Sequence, residues 1–370
     1  MNANTIGVAF KVTCFGESHG RCVGTVVDGC PAGLEISEDT VQRELERRRT
    51  GQSIYASQRR EEDRVEVVSG TFNGFTTGAP ICMIVWNKDI ESSAYEKIEF
   101  TPRPGHADFT AFTKFGGFND YRGGGRFSGR ITAGFVMAGV VAKKLLALLN
   151  IEILAYTLEI AGIKAEPKTI KEIISNVEKN SVRCPDLTAA EKMIKSIQAA
   201  RDEGDSVGGV IESVSLNVPV GLGEPIFDTL EGDLAKALFA IPAVKGVEFG
   251  SGFKLSSMKG SESNDVFTVK GGKVITKSNS SGGILGGISN GMPILLRVAV
   301  KPTPSIQKSQ DTVDLKKMEP VKLKVEGRHD SCIVPRAVPV VESMIAIVLA
   351  DHTIRAGLLP RVLRGGGFDK

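Results

Sequence analysis

Apolar and polar positions alternate in the first thirty residues, around Val8–Val12 and again at Val23–Val27, the period expected of strands. Between them Gly16–Gly20, G-E-S-H-G, breaks the pattern. Glycine at both ends and three polar residues inside predict a turn that joins the strands into a hairpin. Spacing then becomes helical over Thr40–Arg49, with Ser37 as cap and acids in the first turn. Strands are predicted at Val65–Val68 and Gly78–Trp86. From Thr101 to Gly129 periodicity is lost and glycine is abundant, the signature of a long functional loop. It runs into a helix over Arg130–Leu149, apolar on most sides and so buried, whose Gly134, Ala138 and Ala142 form a narrow face for close packing. A charged part follows, with amphipathic helices over Thr169–Val177 and Thr188–Arg201. Then come a strand at Val210–Val218, a helix at Asp228–Ala240, a Gly/Ser-rich stretch at Ser278–Gly291, a strand at Ile294–Val300 and an apolar helix at Val338–Arg355. No repeat or linker divides the chain, which predicts one domain over residues 1–370 with 356–370 as a flexible tail.

Composition narrows the class. The 370 residues are 41% hydrophobic and 24% charged, ordinary for a globular protein with a sizeable core. The net charge of +3 argues for no particular partner. Seven arginines lie between Arg43 and Arg64, interleaved with Glu44, Glu46, Glu61, Glu62 and Asp63. Such balance suits a folded surface that spends guanidinium groups on a compact anion, and speaks against a nucleic-acid-binding segment. The six cysteines form no C-x-x-C and have no histidine at metal-ligand spacing, so no metal is expected. The N-terminus has no signal-peptide pattern, and the apolar run Ile131–Ala142 stops at Lys143-Lys144, short of a membrane span. Reduced thiols in the cytoplasm, with no membrane partner, are the expectation.

Three of the four histidines lie in loops beside glycine or arginine: His19 in G-E-S-H-G, His106 in R-P-G-H-A-D and His329 in G-R-H-D. His352, in the C-terminal helix, reads as a buried structural histidine with one partner. Each loop histidine alone is as readily a turn residue as a site. Together with R-G-G-G-R-F-S-G-R (Arg122–Arg130) they make a coherent chemistry. Glycines let backbone N–H groups approach a ligand, arginines bind carboxylate or phosphate bidentately, and histidines move protons near neutral pH. The glycine loop matches neither the P-loop nor the dinucleotide fingerprint, though it opens a helix whose N-terminus favours phosphate. A polyanionic ligand with histidine proton transfer is the reading the residues support.

The same segments, in this order, resemble chorismate synthases: F-G-E-S-H-G, R-R-E-E-D, R-P-G-H-A-D, D-Y-R-G-G-G-R, E-G-D-S-V-G-G, V-P-V-G-L-G-E-P, A-V-K-G-V-E, G-G-I-L-G-G-I-S-N-G, K-P-T-P-S-I and G-R-H-D-S-C-I-V-P-R-A-V-P-V-V-E. The resemblance covers nearly the whole chain. It implies an α+β fold, a single-domain layered sandwich of central helices between antiparallel β-sheets, assembled as a homotetramer. It also implies anti-1,4-elimination of phosphate from 5-enolpyruvylshikimate-3-phosphate, requiring reduced FMN without net redox, in aromatic amino acid biosynthesis. A flavoprotein catalysing net redox on an anionic substrate is the alternative.

By the same resemblance His19 protonates the departing phosphate, His106 stabilises or protonates reduced flavin, and Asp330 assists proton removal; which histidine faces the phosphate stays open. Cofactor contacts map onto Arg126, Phe127 and Ser128, onto Pro242, Ala243 and Gly286, onto Lys301, Pro302, Thr303, Pro304 and Ser305, and onto Arg328. Arg48 maps onto a substrate contact, with Arg103 and Arg130 as further anion contacts. Ile54, Phe127, Gly129, Ile131 and Pro242 depart from the usual residues, so contacts at Phe127 and Pro242 are expected through backbone. No reductase segment is evident, so flavin reduction by a separate reductase, with NADPH as the source of electrons, is expected.

Overall fold

The computed structural model describes residues 3–49, 63–88, 98–325 and 330–363. Two five-stranded antiparallel sheets face each other across helices. In the first, Thr5–Ile6, Lys11–Gly16, Cys22–Asp28, Ile81–Trp86 and Val65–Ser69 lie in that spatial order. In the second the order is Val244–Phe249, Ile294–Val300, Gly209–Leu216, Glu152–Ile160 and Ile163–Lys164. The predicted hairpin pairs Lys11 with Asp28 and Gly16 with Val23. Its alternation turns Val12 and Val27 inward, as a half-buried strand requires.

Two buried helices fill the space between the sheets. Thr132–Ala147 packs on the hairpin strands, Val334–Arg355 packs on Glu152–Ile160 and Gly209–Leu216, and the two helices pack on each other. This is the layered α+β sandwich expected from the resemblance. One apolar cluster runs from Phe10 to Leu359 through both sheets and both helices. The two helices pack tightly at Gly139, where a Cβ would overlap Ser343, while Gly134 faces the Gly24 carbonyl of the strand. The small-residue face predicted from Gly134, Ala138 and Ala142 therefore serves the sheet contact at Gly134, and a different glycine makes the helix–helix contact.

Three features differ from the sequence expectation. The loop 101–129 contains a helix, Asp108–Phe115, closed by Gly116 in the left-handed conformation. Only Ala111 of that helix is buried, so it carries no apolar stripe to betray it. Two strands, Glu152–Ile160 and Val244–Phe249, show no period of two. The first has helices packed on it and is buried at five of its last six positions, and burial on both faces erases alternation. The C-terminal helix begins at Val334, four residues before Val338, and takes in Pro335 and Pro339. Pro335 suits the first turn. Pro339 cannot donate to the Pro335 carbonyl, and the Arg183 guanidinium donates to that oxygen instead at 2.7 Å.

That helix is the one among the described residues long and apolar enough to cross a membrane, and it is buried inside the fold. His352 is buried with Nε2 2.9 Å from Asp233 Oδ2, the structural role expected of it. Residues 361–363 are tied to Ala32 by backbone hydrogen bonds, so this part of the expected tail is anchored. Arg328 and Ile54 lie outside the described residues, as does 364–370.

Candidate active site

A cleft of about 710 Å³ opens where the long loop, the ends of the second sheet and the start of the C-terminal helix meet. Its wall includes Arg48, Arg103, His106, Arg126, Phe127, Ser128, Arg130, Pro242, Ala243, Lys301, Thr303, Pro304, Ser305 and Asp330. Most of the residues singled out in the sequence are thus brought together. Seven cationic side chains, those of Arg48, Arg103, Arg126, Arg130, Lys245, Lys301 and Arg336, line it against the two carboxylates of Asp63 and Asp330.

The glycine loop links the two histidines. Gly123, Gly124 and Gly125 have φ of 58°, 83° and 51°, a run of left-handed residues that side-chain-bearing residues rarely adopt. A Cβ on Gly123 would fall inside the His19 ring, and one on Gly124 would press within 3.1 Å of the His106 ring. The Gly125 carbonyl accepts from Ser18 N at 3.2 Å. His19 itself is buried and stands behind Gly123 rather than on the cleft wall.

His106 is held by its own loop. Asp108 Oδ1 lies 2.6 Å from its Nδ1, and Asp108 also receives the Nε and Nη2 of Arg103, each at 2.8 Å. Arg103 Nη1 donates to Ser305 Oγ at 3.2 Å, tying this loop to Lys301–Ser305. Burial alone would raise the Asp108 carboxyl, but hydrogen bonds from Arg103 and His106 hold it well below the usual carboxylate range. A charged Asp108 beside Nδ1 fixes the orientation of the imidazole and which ring nitrogen faces the glycine loop. Asp108→Asn is therefore expected to slow the chemical step by roughly 10²-fold, read by single-turnover phosphate release.

Five more of the seven cations are also anchored. Arg48 and Arg130 share Asp63. Arg336 pairs with Asp330 and donates its Nε to the Arg48 carbonyl at 3.2 Å. Arg126 donates to the carbonyls of Gly16 and Cys14, both at 3.0 Å, and to Asn4, so its guanidinium holds the hairpin while its chain borders the cleft. Lys301 reaches the Gly105 carbonyl. Two expected residues lie apart: Gly286 sits in the turn between Ile284–Leu285 and Ile288–Ser289, and Pro302 packs against Gly208; neither borders the cleft. Asp63, Asp108 and Arg336 were not singled out in the sequence. The clearest signal for one of them was the spacing R-P-G-H-A-D, which puts an arginine and an aspartate within three residues of the histidine.

The family model for chorismate synthase matches residues 10–354. The chain belongs to the chorismate synthase family. A chorismate synthase of Dehalococcoides mccartyi strain BAV1 is 59% identical over 362 residues, 98% of this chain and 100% of its own length. One of Korarchaeum cryptofilum is 58% identical over 96% of this chain and 99% of its own. A crystal structure of chorismate synthase superposes with a TM-score of 0.76 at 31% identity, covering 95% of this chain and 93% of that one. Chorismate synthases are carbon–oxygen lyases of the shikimate pathway, on the route to the aromatic amino acids, and this is the activity of the chain.

Proposed function

We propose that the cleft binds 5-enolpyruvylshikimate-3-phosphate beside reduced FMN and eliminates phosphate in the anti-1,4 sense to give chorismate. The observation that carries this reading is the surplus of cations around one imidazole and two carboxylates. A substrate with one phosphate and two carboxylates matches that surplus, and guanidinium groups recognise both anions. The wall also fits a flavin. Its glycine loop offers backbone without Cβ atoms, Phe127 exposes part of its ring, and Thr303 Oγ1 is buried without a partner among the described residues. When bound, reduced flavin supplies the transient electron density that lets the C–O bond to phosphate break without net redox.

The protein's own residues do the rest. Arg48, Arg103, Arg130 and Lys301 neutralise the substrate's anionic groups and fix its orientation. His106, with Nδ1 directed to Asp108, presents its other nitrogen toward the glycine loop. His19 supplies a proton to the departing phosphate from behind Gly123. Asp330, oriented by Arg336, assists removal of the ring proton. Arg328, Phe127, Ser128, Pro242, Ala243 and Ser305 complete the flavin contacts. The reading extends to a homotetramer working in the cytoplasm, its flavin reduced with NADPH by a separate reductase. The six free cysteines agree with a reducing compartment.

The test is phosphate release from the ester under anaerobic conditions. Full release is expected with chemically reduced FMN and none with oxidised FMN. No release with reduced FMN overturns the reading, and flavin reoxidised in step with product would favour the net-redox alternative. NADPH alone should support no turnover until a flavin reductase is added.

A further inference from the structure

The carboxylate of Asp63 is 1% exposed at its side chain and receives two guanidinium groups at once. Arg48 Nη1 donates to Oδ2 at 3.0 Å, and Arg130 Nη1 donates to Oδ1. Neither arginine is oriented by Asp63 alone. Arg48 Nε donates to Thr132 Oγ1 and its Nη2 to the Gly129 carbonyl, both at 3.0 Å. Arg130 Nε donates to Asn87 Oδ1 at 3.0 Å, and Asn87 in turn donates to the carbonyls of Glu17 and Gly20, on either side of His19. Both arginines and Asp63 border the cleft. The backbone of Asp63 has φ of 47°, a conformation that aspartate and asparagine tolerate better than other residues with side chains.

Two buried guanidinium groups would repel each other and lose their hydration. One carboxylate bridging them offsets the repulsion and keeps both charged at the edge of the cleft. Burial alone would raise the Asp63 carboxyl; the charges of Arg48 and Arg130, and that of Arg336, bring it below its ordinary value.

We propose that Asp63 is a positioning residue of this enzyme: it clamps Arg48 and Arg130 side by side at the cleft so that the pair receives an anionic oxygen group of the substrate, phosphate or carboxylate. The inference rests on the function proposed above and adds to it the residue that sets the geometry of the anion site. Asp63 touches no substrate in this scheme and acts only through the two guanidinium groups.

Asp63→Glu keeps the charge and displaces the carboxylate by one methylene. In the full chain with reduced FMN, the KM for the ester is expected to rise at least about tenfold with kcat within about threefold, the pattern of lost uniform binding. Equilibrium dialysis of inorganic phosphate, which needs no turnover, should show a parallel loss of affinity. Wild-type KM and phosphate affinity in a folded Asp63→Glu protein overturn the proposal. So does a fall in kcat with KM unchanged, which is what a merely structural role produces. If Asp63→Glu does not fold, Arg130→Lys tests the clamp from its other side, because lysine keeps the charge but cannot serve Asp63 and Asn87 together; unchanged KM and phosphate affinity there overturn the proposal equally. Absence of phosphate release by the wild-type enzyme would instead overturn the proposed function, leaving the dialysis to decide the clamp.

Discussion

Alanine in place of Gly123 will cut phosphate release by at least about a hundredfold while leaving the protein folded. The added methyl would occupy the space of the His19 imidazole, so the ring must leave its position, and a displacement of about 1 Å in a reacting group can cost roughly 10²-fold. The left-handed backbone at φ of 58° adds a further penalty on any side chain. The measurement is kcat under anaerobic conditions beside a thermal melt. Gly260→Ala is the control, because a Cβ there meets nothing within 4 Å and its φ is not left-handed. Wild-type turnover by a folded Gly123→Ala protein would show that His19 is not needed where the glycine holds it.

The glycine loop was legible because its chemistry is local. A run of glycines beside arginines advertises left-handed backbone and anion binding without knowledge of the fold. Asp63 was not legible for the opposite reason. In sequence it is one of five acids among seven arginines, a mixture that reads as a solvated, balanced surface. Its selection as the shared partner of Arg48 and Arg130 depends on bringing together residues that are 15 and 67 positions away. The strand Ile294–Val300 was predicted with its bounds, whereas Glu152–Ile160 escaped because two-sided burial removed its period. His352 could be assigned a structural role from its helix alone, but not its partner Asp233, 119 residues away.

The second large effect concerns stability. Glu342, buried in the C-terminal helix, accepts from Arg47 at 2.7 and 3.0 Å and from Lys143 at 2.6 Å. Glu342→Ala leaves Lys143 with Glu44 alone and Arg47 with Glu44 and the more exposed Glu178. Removing one partner from a buried pair costs about 3–5 kcal/mol, which for a chain of this size lowers Tm by roughly 4–6 °C. The pH dependence has a defined sign. Burial alone would raise the Glu342 carboxyl, yet Lys143 and Arg47 bring it down from 4.5 to about 2. As pH falls below 4.5 the unfolded chain takes up the proton first, so the group's contribution, complete above 4.5, is lost as pH drops through about 2. Glu342→Gln should remove that acid-sensitive component, flattening stability against pH over this window. An unchanged acid slope in denaturant melts of the glutamine variant would rule out the assigned role.

The Val334–Arg355 helix follows in the chain every element it packs against. Its Asp351 Oδ1 accepts the backbone N–H groups of Val8, Ala9 and Phe10, joining segments more than 340 residues apart. During synthesis, then, the second sheet and the flank of Thr132–Ala147 that this helix covers emerge with those faces open to water. Neither the core nor the floor of the cleft can close until this last apolar segment has left the ribosome. The nascent chain must wait with that interior uncovered, exposed to the chaperones that shield apolar surface, until the Val334–Arg355 helix has emerged.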